Sequence, residues 1–485
     1  MSSTKEKTIS GLIWSFTERF ASQAVTFVVG IVLARLLSPK EFGLIGMLTI
    51  FIGLSTVFVQ SGFNQALIRK TNCTKKDYVT VFYFNLLVSL VFYAILFVTS
   101  GLISDFYGQP KLQNLIKVLG LVLVINALTI VQRTKITKRV DFKLLTKVSV
   151  IASIGSGALG ITMAATGFGV WSLVFRQVAQ GAFLAGSLWF WNRWQPQGNF
   201  SKKSFKELFK FGNNIMLNGV ISIIYKNIYN VIIGIFYPAA NLGYYTRADQ
   251  FKNLPSETIG QVIERVSFPI LSSLKYDKKQ FHIIFDRLLR STMLITFTLL
   301  IGLASISKEL VVVLMGEQWL KAGEYLQILC FSAIFYPLDK QLNSILKIVG
   351  RSDSVLKYGL LDKFLTIPLI FITIFFGIKI SLYFMIIHRF VYVLMLANKV
   401  KIYINFNIKI LLKLILPSFC VLIIMYVTLM LVDEYFNFHI LILLTIKIIA
   451  GAIIVIGLFE ATKFKDYIYL KNKGKEEIKT FLKRT

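Results

Sequence analysis

Apolar stretches long enough to cross a membrane fill most of this chain, and short polar gaps separate them. A membrane-spanning helix needs about 20 mostly apolar residues. Lipid forbids unpaired backbone groups, so spanning segments form helices or closed barrels, and these stretches are too long for barrel strands. The pattern therefore predicts an all-α, polytopic membrane protein with about 14 transmembrane helices. The predicted spans are 9–36, 42–67, 79–104, 112–132, 145–166, 169–191, 211–236, 243–273, 283–306, 322–347, 355–377, 379–404, 409–432 and 438–461.

Basic residues are concentrated in every second gap. Eight gaps hold 37 of the 54 Lys and Arg residues: 1–7, 69–77, 133–147, 192–210, 275–290, 347–357, 398–413 and 463–485. The gaps between them hold only 6: 35–40, 105–111, 167–169, 237–243, 307–321, 377–380 and 433–439. Because positively charged loops stay on the cytoplasmic side of a membrane, this bias predicts that both termini are cytoplasmic.

Composition and charge exclude several other classes of protein. Of the 485 residues, 16% are charged, whereas an average soluble domain carries about 25%. The net charge of +30 sits in short loops, which excludes a nucleic-acid-binding surface and fits attraction to anionic lipid headgroups. The gaps leave no room for a soluble catalytic domain, and the sequence holds no Walker loop, metal-ligand cluster or catalytic triad motif. We therefore expect a transporter without a cofactor and not an enzyme.

Two similar turns lie six spans apart. Residues 37–43 read LSPKEFG, and residues 236–243 read FYPAANLG. Repeated halves are common in transporters, although Pro and Gly mark most turns, so the likeness alone leaves coincidence open. Together with the spacing, it predicts an N-terminal six-helix bundle at 1–200 and a C-terminal six-helix bundle at 201–405. Residues 406–485 then add two transmembrane helices and a basic cytoplasmic tail.

Three segments resemble those of bacterial polysaccharide exporters of the Wzx type. Residues 31–44 (IVLARLLSPKEFGL) carry the most specific likeness, and residues 60–68 (QSGFNQALI) and 242–248 (LGYYTRA) agree with it. The resemblance follows the chain through the twelfth span. It extends to the MOP superfamily, which also holds multidrug antiporters and peptidoglycan lipid II flippases. It implies two six-helix bundles around a central cavity, with two further C-terminal helices.

The resemblance also implies a substrate and a setting. The expected substrate is an oligosaccharide on undecaprenyl pyrophosphate, turned from the inner to the outer leaflet of the bacterial inner membrane by alternating access. This transport would serve lipopolysaccharide, O-antigen or exopolysaccharide export. Expected partners are membrane lipids and a polysaccharide polymerase with its chain-length machinery. The alternatives are a lipid II flippase, a multidrug or cation antiporter, and a membrane polysaccharide polymerase.

Charged residues inside the predicted spans are the candidates for a binding site. Outside the gaps given above, eleven of them are basic and eight are acidic. A charge at the bilayer centre costs roughly 2.5–3.5 kcal/mol, so each of these side chains must face water, pair with another group or reach the interface. The surplus of cations suits a pyrophosphate better than it suits a cationic drug.

The eighth span carries a polar stripe. Arg247 and Arg265 are 18 residues apart, about five helical turns, so they share one face. Four more polar residues lie within roughly 100° of that face: Gln250, Glu257, Gln261 and Glu264. The stripe either lines a wet cavity or forms a salt-bridge ladder between helices, and the cost of unpaired polar groups in lipid favours the cavity. Glu257 or Glu264 is also the candidate for coupling to an H+ or Na+ gradient.

Three further cations are candidates for the cationic cavity. Arg19 lies in the inner half of the first span, where its guanidinium fork matches a pyrophosphate arriving from the cytoplasmic leaflet. The alternative is that Arg19 pairs with Glu18 or with a neighbouring helix. Lys226 and Arg389 lie in the middle of their spans, too deep to reach the interface easily, so both are predicted to face the cavity.

The other polar residues within the spans have more ordinary alternatives. Gln60 and Asn64 lie near the end of the second span, where they either meet sugar or form hydrogen bonds between helices. Asp249 and Lys252 lie on the opposite side of the eighth span from the stripe, three residues apart, and are predicted to pair.

Overall fold

The computed structural model describes residues 2–404, 406, 408–435, 438–464, 467–468 and 471–472. The side chains of residues 2–13, 15, 16 and 19 lie outside that description. Across these described ranges the regular structure is helical and includes no strand. The predicted all-α class is therefore confirmed.

Residue contacts divide the chain into two compact units, residues 1–243 and residues 244–485. In the first unit, α8 packs against α1 and α9, α7 packs against α4 and α9, and α10 packs against α2. The helices of this unit are α1 (Ser2–Leu36), α2 (Pro39–Gln60), α3 (Phe63–Arg69), α4 (Lys75–Val98), α5 (Ser100–Phe106), α6 (Lys111–Leu119), α7 (Leu121–Lys138), α8 (Phe142–Ala165), α9 (Val170–Asn192) and α10 (Lys202–Phe236).

The next helix, α11 (Ala239–Ser273), begins at the end of the first unit and continues into the second. The helices that follow are α12 (Lys278–Ser305), α13 (Ser307–Met315), α14 (Leu320–Ala333), α15 (Tyr336–Ile348), α16 (Ser352–Phe376), α17 (Ile378–Ile404), α18 (Ile408–Tyr435) and α19 (Ile440–Ala461). A 3-10 turn, Glu317–Trp319, connects α13 with α14. α12 packs against α14 and α18, α17 packs against α14 and α16, and α19 packs against α13 and α18.

One apolar core holds the second unit together. Leu300 on α12, Leu342 on α15, Leu396 on α17 and Leu422 on α18 are fully buried in it. Lipid tails are as apolar as leucine, so in a membrane such a core is held mainly by close van der Waals packing and not by exclusion of water.

The predicted spans coincide with helices. Ten helices among the described residues are long and apolar enough to cross a membrane by length and composition. The other four predicted spans fall on α1, whose apolar part is Phe20–Leu36, on α9, on α11 and on the pair α14 and α15. The count of 14 is therefore approximate, because polar or interrupted helices make up the remainder.

Breaks between helices interrupt four predicted spans. In 79–104 and 112–132 the break is a single residue, Thr99 or Gly120, and in two other spans it is longer. The span 42–67 is broken between α2 and α3, where Ser61 and Gly62 adopt left-handed conformations with φ of 43° and 66°. The span 322–347 is broken at residues 334–335, and Pro337 lies in the first turn of the following helix, α15. Hydropathy continues through both longer breaks, so the pattern of apolar residues could not show them.

The two similar turns meet within the first unit. A Cβ atom on Gly43 would lie 1.7 Å from the carbonyl oxygen of Ala239, and a Cβ atom on Gly243 would lie 1.9 Å from the carbonyl oxygen of Pro39. Only glycine allows two helix backbones to approach this closely. The contacts are reciprocal, as expected of a repeated element. The predicted bundle boundaries at residues 200 and 405 stay a prediction.

Candidate functional site

A group of polar side chains lies between α15, α16 and α17 in the second unit. Arg389 Nη1 on α17 donates to Oδ1 and Oδ2 of Asp362 on α16, at 3.2 and 3.4 Å. His388 Nε2 lies 3.5 Å from Asp362 Oδ1 and 3.3 Å from the Asp362 carbonyl oxygen. On α15, Asn343 Nδ2 donates to Asp339 Oδ1, and Asp339 lies within electrostatic range of Arg389 and Asp362. We call these five residues the polar cluster.

The hairpin of α16 and α17 explains why Asp362 and Arg389 meet. Gly377 joins the two helices with a φ of 93°, a left-handed conformation that glycine adopts without strain. Asp362 precedes Gly377 by 15 residues, and Arg389 follows it by 12. At about 1.5 Å per residue, these two distances bring the side chains to similar heights on antiparallel helices.

The pair leaves part of the guanidinium available. The Arg389 side chain is 40% exposed, and the Asp362 side chain is 24% exposed. A guanidinium presents five N–H donors in a planar fork, and Nη1 is the nitrogen that bonds Asp362. The carboxylate therefore orients the fork, while the exposed part can donate to phosphate or sugar oxygens.

One face of α11 lies against α15. A Cβ atom on Gly260 would lie 2.8 Å from Tyr336 Cε1, which shows how closely the two helices approach. Lys340 Nζ lies 5.2 Å from the centroid of the Tyr336 ring. About one turn beyond Gly260, Glu264 Oε1 accepts a hydrogen bond from Lys347 Nζ at 2.8 Å. Glu264 therefore takes part in the interhelical ion pairing that the sequence left as the alternative.

The first turns of α11 carry local pairs. Arg247 Nη1 donates to Gln250 Oε1 at 2.6 Å. Lys252 Nζ donates to Asp249 Oδ1 at 2.6 Å, and Asn253 Nδ2 donates to Asp249 Oδ2 at 2.7 Å. The predicted pairing of Asp249 with Lys252 is confirmed.

The rest of the stripe is spread along α11. Arg247 and Arg265 are 18 residues apart, which corresponds to about 27 Å along the helix axis. Arg265 is exposed, whereas Glu257 and Gln261 are half-buried. The structure therefore does not bring the two arginines into one pocket, and the role of the stripe in lining a cavity stays a prediction.

The candidates of the first unit lie on several different helices. The side chain of Arg19 lies outside the described residues. Its neighbour Glu18 accepts a hydrogen bond from Ser149 Oγ at 3.1 Å and lies 3.8 Å from Arg133 Nη2. Glu18 therefore pairs with α7 and α8. Lys226 lies on α10 with an exposed side chain.

The amides at the end of the second span differ in their contacts. Asn64 Oδ1 on α3 accepts a hydrogen bond from Thr134 Oγ1 on α7 at 2.7 Å. The sequence left such a hydrogen bond between helices as the alternative to a contact with sugar. Gln60 is the last residue of α2, and its side chain is exposed. A contact of either amide with sugar stays a prediction.

Sequence reasoning missed a buried ion cluster around Lys447. This side chain on α19 is 0% exposed. Its Nζ donates to Glu309 Oε1 on α13 at 2.8 Å, to Asp433 Oδ2 on α18 at 2.6 Å and to the Ser305 carbonyl oxygen at 3.2 Å. The sequence put both carboxylates in polar gaps, so no partner for Lys447 was expected. The cluster anchors α19 to three other helices.

A second ion cluster lies between α3 and α4. Lys70 Nζ contacts Asp77 Oδ1 on α4 at 3.1 Å and Glu207 Oε2 on α10 at 2.9 Å. Partial burial lowers the pKa of Lys70, but the hydrogen bonds to Glu207 and Asp77 outweigh burial and raise this pKa above its ordinary value. The lysine thus stays charged and ties this connection to α10.

Comparison with known proteins identifies the sequence relatives of the chain. Residues 32–324 match the family described as polysaccharide biosynthesis protein. The teichuronic acid biosynthesis protein TuaB of Bacillus subtilis (strain 168) is 26% identical over 361 residues, which cover 73% of this chain and 74% of that protein. The lipopolysaccharide biosynthesis protein WzxC of Escherichia coli (strain K12) is 25% identical over 378 residues, which cover 76% of each chain.

A solved structure shares the fold. The lipid II flippase MurJ, in an inward closed conformation, aligns with a TM-score of 0.74 at 17% identity, over 94% of this chain and 100% of that one. At this identity the likeness shows the fold alone. The expected resemblance to Wzx-type proteins is confirmed by the family match and by the relative WzxC. Because the family match covers more than half of the sequence, this multi-pass membrane protein belongs to the polysaccharide biosynthesis protein family.

Proposed function

We propose that this protein is a flippase that moves an oligosaccharide on undecaprenyl pyrophosphate from the inner to the outer leaflet of the bacterial inner membrane. The observation that carries the proposal is the family match over residues 32–324 in a chain built of membrane helices. Two relatives are named for teichuronic acid and lipopolysaccharide biosynthesis, which supports a glycan as the cargo. Transport proceeds by alternating access, with the headgroup in a cationic cavity and the polyprenyl tail in lipid.

The balance of charges inside the spans supports an anionic cargo. Basic residues outnumber acidic ones there by 11 to 8. A pyrophosphate needs cationic donors, and arginine forks match its oxygens. An antiporter of cationic drugs would need the opposite surplus. In this proposal the substrate-binding cations are Arg19, Lys226, Arg247, Arg265 and Arg389, and the polar groups that accompany them are Gln250, Glu257, Gln261, Glu264, Gln60 and Asn64.

The polar cluster supplies the best-defined of these donors. Asp362 holds the Arg389 guanidinium at 3.2 Å, and the exposed part of the fork remains for substrate. A pre-oriented donor loses less conformational entropy when it binds a phosphate. Arg389 therefore acts as a substrate-binding residue, and Asp362 acts as a positioning residue.

A proton or sodium gradient supplies the energy in this proposal. The stripe on α11 holds two carboxylates, and Glu264 already pairs with Lys347. Glu257 is half-buried and lies within electrostatic range of the Tyr336 hydroxyl. Glu257 is therefore the better candidate to bind the coupling ion.

The proposed orientation follows from the basic gaps. Both termini lie in the cytoplasm, and the substrate enters from that side. Released substrate then reaches a polysaccharide polymerase and its chain-length machinery on the outer face.

Gene deletion and complementation test this function. We expect the deletion strain to lose surface polysaccharide and to accumulate lipid-linked oligosaccharide in its membranes. Wild-type protein should restore the surface polysaccharide, and Arg389→Ala should not, because the oriented donor is gone. Lys203→Ala, at an exposed position of α10, is the matched control and should restore it. Normal surface polysaccharide in the deletion strain would refute the proposal.

A lipid II flippase is the second candidate, because the fold is shared with MurJ. The two candidates differ in the consequence of depletion. Loss of a lipid II flippase stops peptidoglycan synthesis and lyses the cell, whereas loss of a polysaccharide exporter removes only the surface glycan. Lysis on depletion would favour the second candidate.

A further inference from the structure

A cavity of about 510 Å³ lies in the first unit, at the ends of α2, α6 and α9 that face away from the basic gaps. Ligand-binding clefts usually measure about 300–1,000 Å³, so this one is large enough for one or two sugar residues. Its lining includes Lys40, Glu41, Lys111, Asn114, Phe168 and Trp171. None of these residues belongs to the polar cluster or to the stripe on α11.

The cavity wall is fixed by the start of α2 and by a glycine turn. Ser38 caps α2, and its backbone N–H and its hydroxyl donate to Glu41 Oε2 at 2.7 and 3.1 Å. A Cβ atom on Gly169 would lie 2.5 Å from Glu41 Oε1, and Gly169 has a φ of 54°. The Glu41 carboxylate is therefore engaged in capping the helix and packing against Gly169.

The free charges of the cavity are positive. Lys40 and Lys111 are both exposed, and each contributes an ammonium that is not engaged in helix capping. The cavity also lies at the first turns of α2, α6 and α9, whose dipoles add partial positive charge at these ends. An anionic group is the ligand that this electrostatic environment favours.

The uncharged lining suits a sugar. Phe168 is 55% exposed, and Trp171 lies beside it on the first turn of α9. Aromatic side chains supply flat apolar surface at low conformational cost, while the Asn114 amide can donate to and accept from sugar hydroxyls. A pocket for inorganic phosphate alone would not need this aromatic surface.

The cavity opens on the side where a flipped glycan would emerge. Its lining comes from three gaps poor in basic residues, 35–40, 105–111 and 167–169, or from the helix turns next to them. These gaps are predicted to lie outside the cytoplasm. A binding site here would hold glycan after translocation and not during entry.

We propose that this cavity is an outer-face binding site for an acidic sugar, meaning one or two sugar residues that carry a carboxylate or a phosphate. Lys40 and Lys111 bind the anionic group, and the Phe168 and Trp171 rings support the sugar. The inference rests on the proposed function for the side of the membrane and for the nature of the cargo. By retaining the released glycan, the site disfavours its return to the inner leaflet.

Calorimetric binding to the purified full-length protein tests the site. The probes are a disaccharide containing glucuronic acid, a hexose phosphate, inorganic phosphate and a neutral disaccharide. We expect the two acidic sugars to bind more tightly than inorganic phosphate or the neutral disaccharide. The variant Lys40→Gln/Lys111→Gln should weaken acidic-sugar binding by about tenfold or more, because two charge-assisted contacts are lost. Lys379→Gln, in an outer gap of the second unit, is the control and should leave binding unchanged.

Three results would overturn the proposal: equal binding by the double variant and the wild type, equally tight binding of the neutral disaccharide, or inorganic phosphate binding as tightly as the hexose phosphate. A different result would refute the proposed function. A deletion strain with normal surface polysaccharide would refute transport, whereas lysine-dependent binding of acidic sugar by the purified protein would still stand. If the deletion strain loses export but the purified protein shows no lysine-dependent binding of acidic sugar, the binding site is refuted and the proposed function stands.

Discussion

Arg389 and Asp362 form an ion pair between two predicted spans, and two roles for the pair can be separated. If the pair only balances charge, the cation and the anion can be exchanged between α16 and α17. If the guanidinium binds substrate, it must project from α17. The 40% exposure of the Arg389 side chain favours the second role, because it leaves N–H donors of the guanidinium within reach of a ligand.

The exchange Arg389→Asp/Asp362→Arg separates these roles. Asp362→Ala alone leaves the guanidinium unpaired and should cost about 1–2 kcal/mol, less than a fully buried pair, because both groups are partly exposed. We expect the double exchange to recover the melting temperature, since the pair is restored, without recovering surface polysaccharide. Recovery of both would assign the pair a structural role only. Thermal unfolding of the purified protein and a surface-glycan assay measure the two outcomes.

Lys447 is expected to matter for stability. Its ammonium is 0% exposed and contacts two carboxylates, so Lys447→Met would leave those carboxylates without a cation. Removing one partner of a buried ion pair costs about 3–5 kcal/mol, and we expect a clear fall in melting temperature. The variant Lys447→Met/Glu309→Gln/Asp433→Asn removes all three charges and should recover most of the loss. No recovery would show that the charges do not account for the effect.

Spacing predicts residue contacts only within a helix. The pair Asp249 and Lys252 follows from three-residue spacing, and the structure has it. The contact of Lys447 with Glu309 joins positions 138 residues apart, and no local pattern encodes that distance. The pair Arg389 and Asp362 lies between these cases, because it depends on where the α16–α17 turn falls.

At the scale of helices, the approach of α2 and α11 depends on two glycines. Gly43→Ala would bring a Cβ atom to 1.7 Å from the Ala239 carbonyl oxygen, and Gly243→Ala would bring one to 1.9 Å from the Pro39 carbonyl oxygen. We expect either change to separate the two helix starts and to abolish export or folded protein. Gly186→Ala, where a Cβ atom meets nothing within 4 Å, is the matched control. Fluorescence-detected gel filtration and export by cells provide the measurement, and wild-type behaviour of Gly43→Ala would contradict this packing.

Hydropathy predicted that these helices exist but not where they break. The turn at Ser61 and Gly62 interrupts an apolar run with two left-handed residues. The break lies at a close contact between helices, because a Cβ atom on Gly62 would lie 2.4 Å from the Gly212 carbonyl oxygen of α10. That contact comes from tertiary packing, which the apolar pattern of one helix cannot reveal.

At the scale of the whole molecule, the alternation of basic gaps makes a topological prediction. In a background with Cys73, Cys330 and Cys420 replaced by Ala, Lys111→Cys should react with a membrane-impermeant maleimide added to spheroplasts. Lys203→Cys should react only after the membrane is permeabilised. The reverse pattern would contradict the predicted orientation, since 37 basic residues against 6 determine it.

Some of the predictions follow from the sequence on physical grounds, and others rest on resemblance to a family. The length of the apolar stretches predicts membrane helices on physical grounds, and the helices of the structure agree with that prediction. The charge alternation predicts their orientation, which stays a prediction. The prediction of a glycan cargo came from resemblance to a family, because no pattern of charge distinguishes an oligosaccharide pyrophosphate from another lipid-linked anion. The outer cavity escaped sequence reasoning altogether, since its lysines lie on separate gaps that only the fold brings together.

The most direct test of the central claim is translocation by purified protein in liposomes. Vesicles would carry a fluorescent oligosaccharide on undecaprenyl pyrophosphate, and an impermeant reagent would destroy only the label exposed outside. With wild-type protein we predict that label from both leaflets is destroyed, and that Arg389→Ala slows the loss of the inner-leaflet label. If the inner-leaflet label stays protected, as in vesicles without protein, the chain is not a flippase for this lipid.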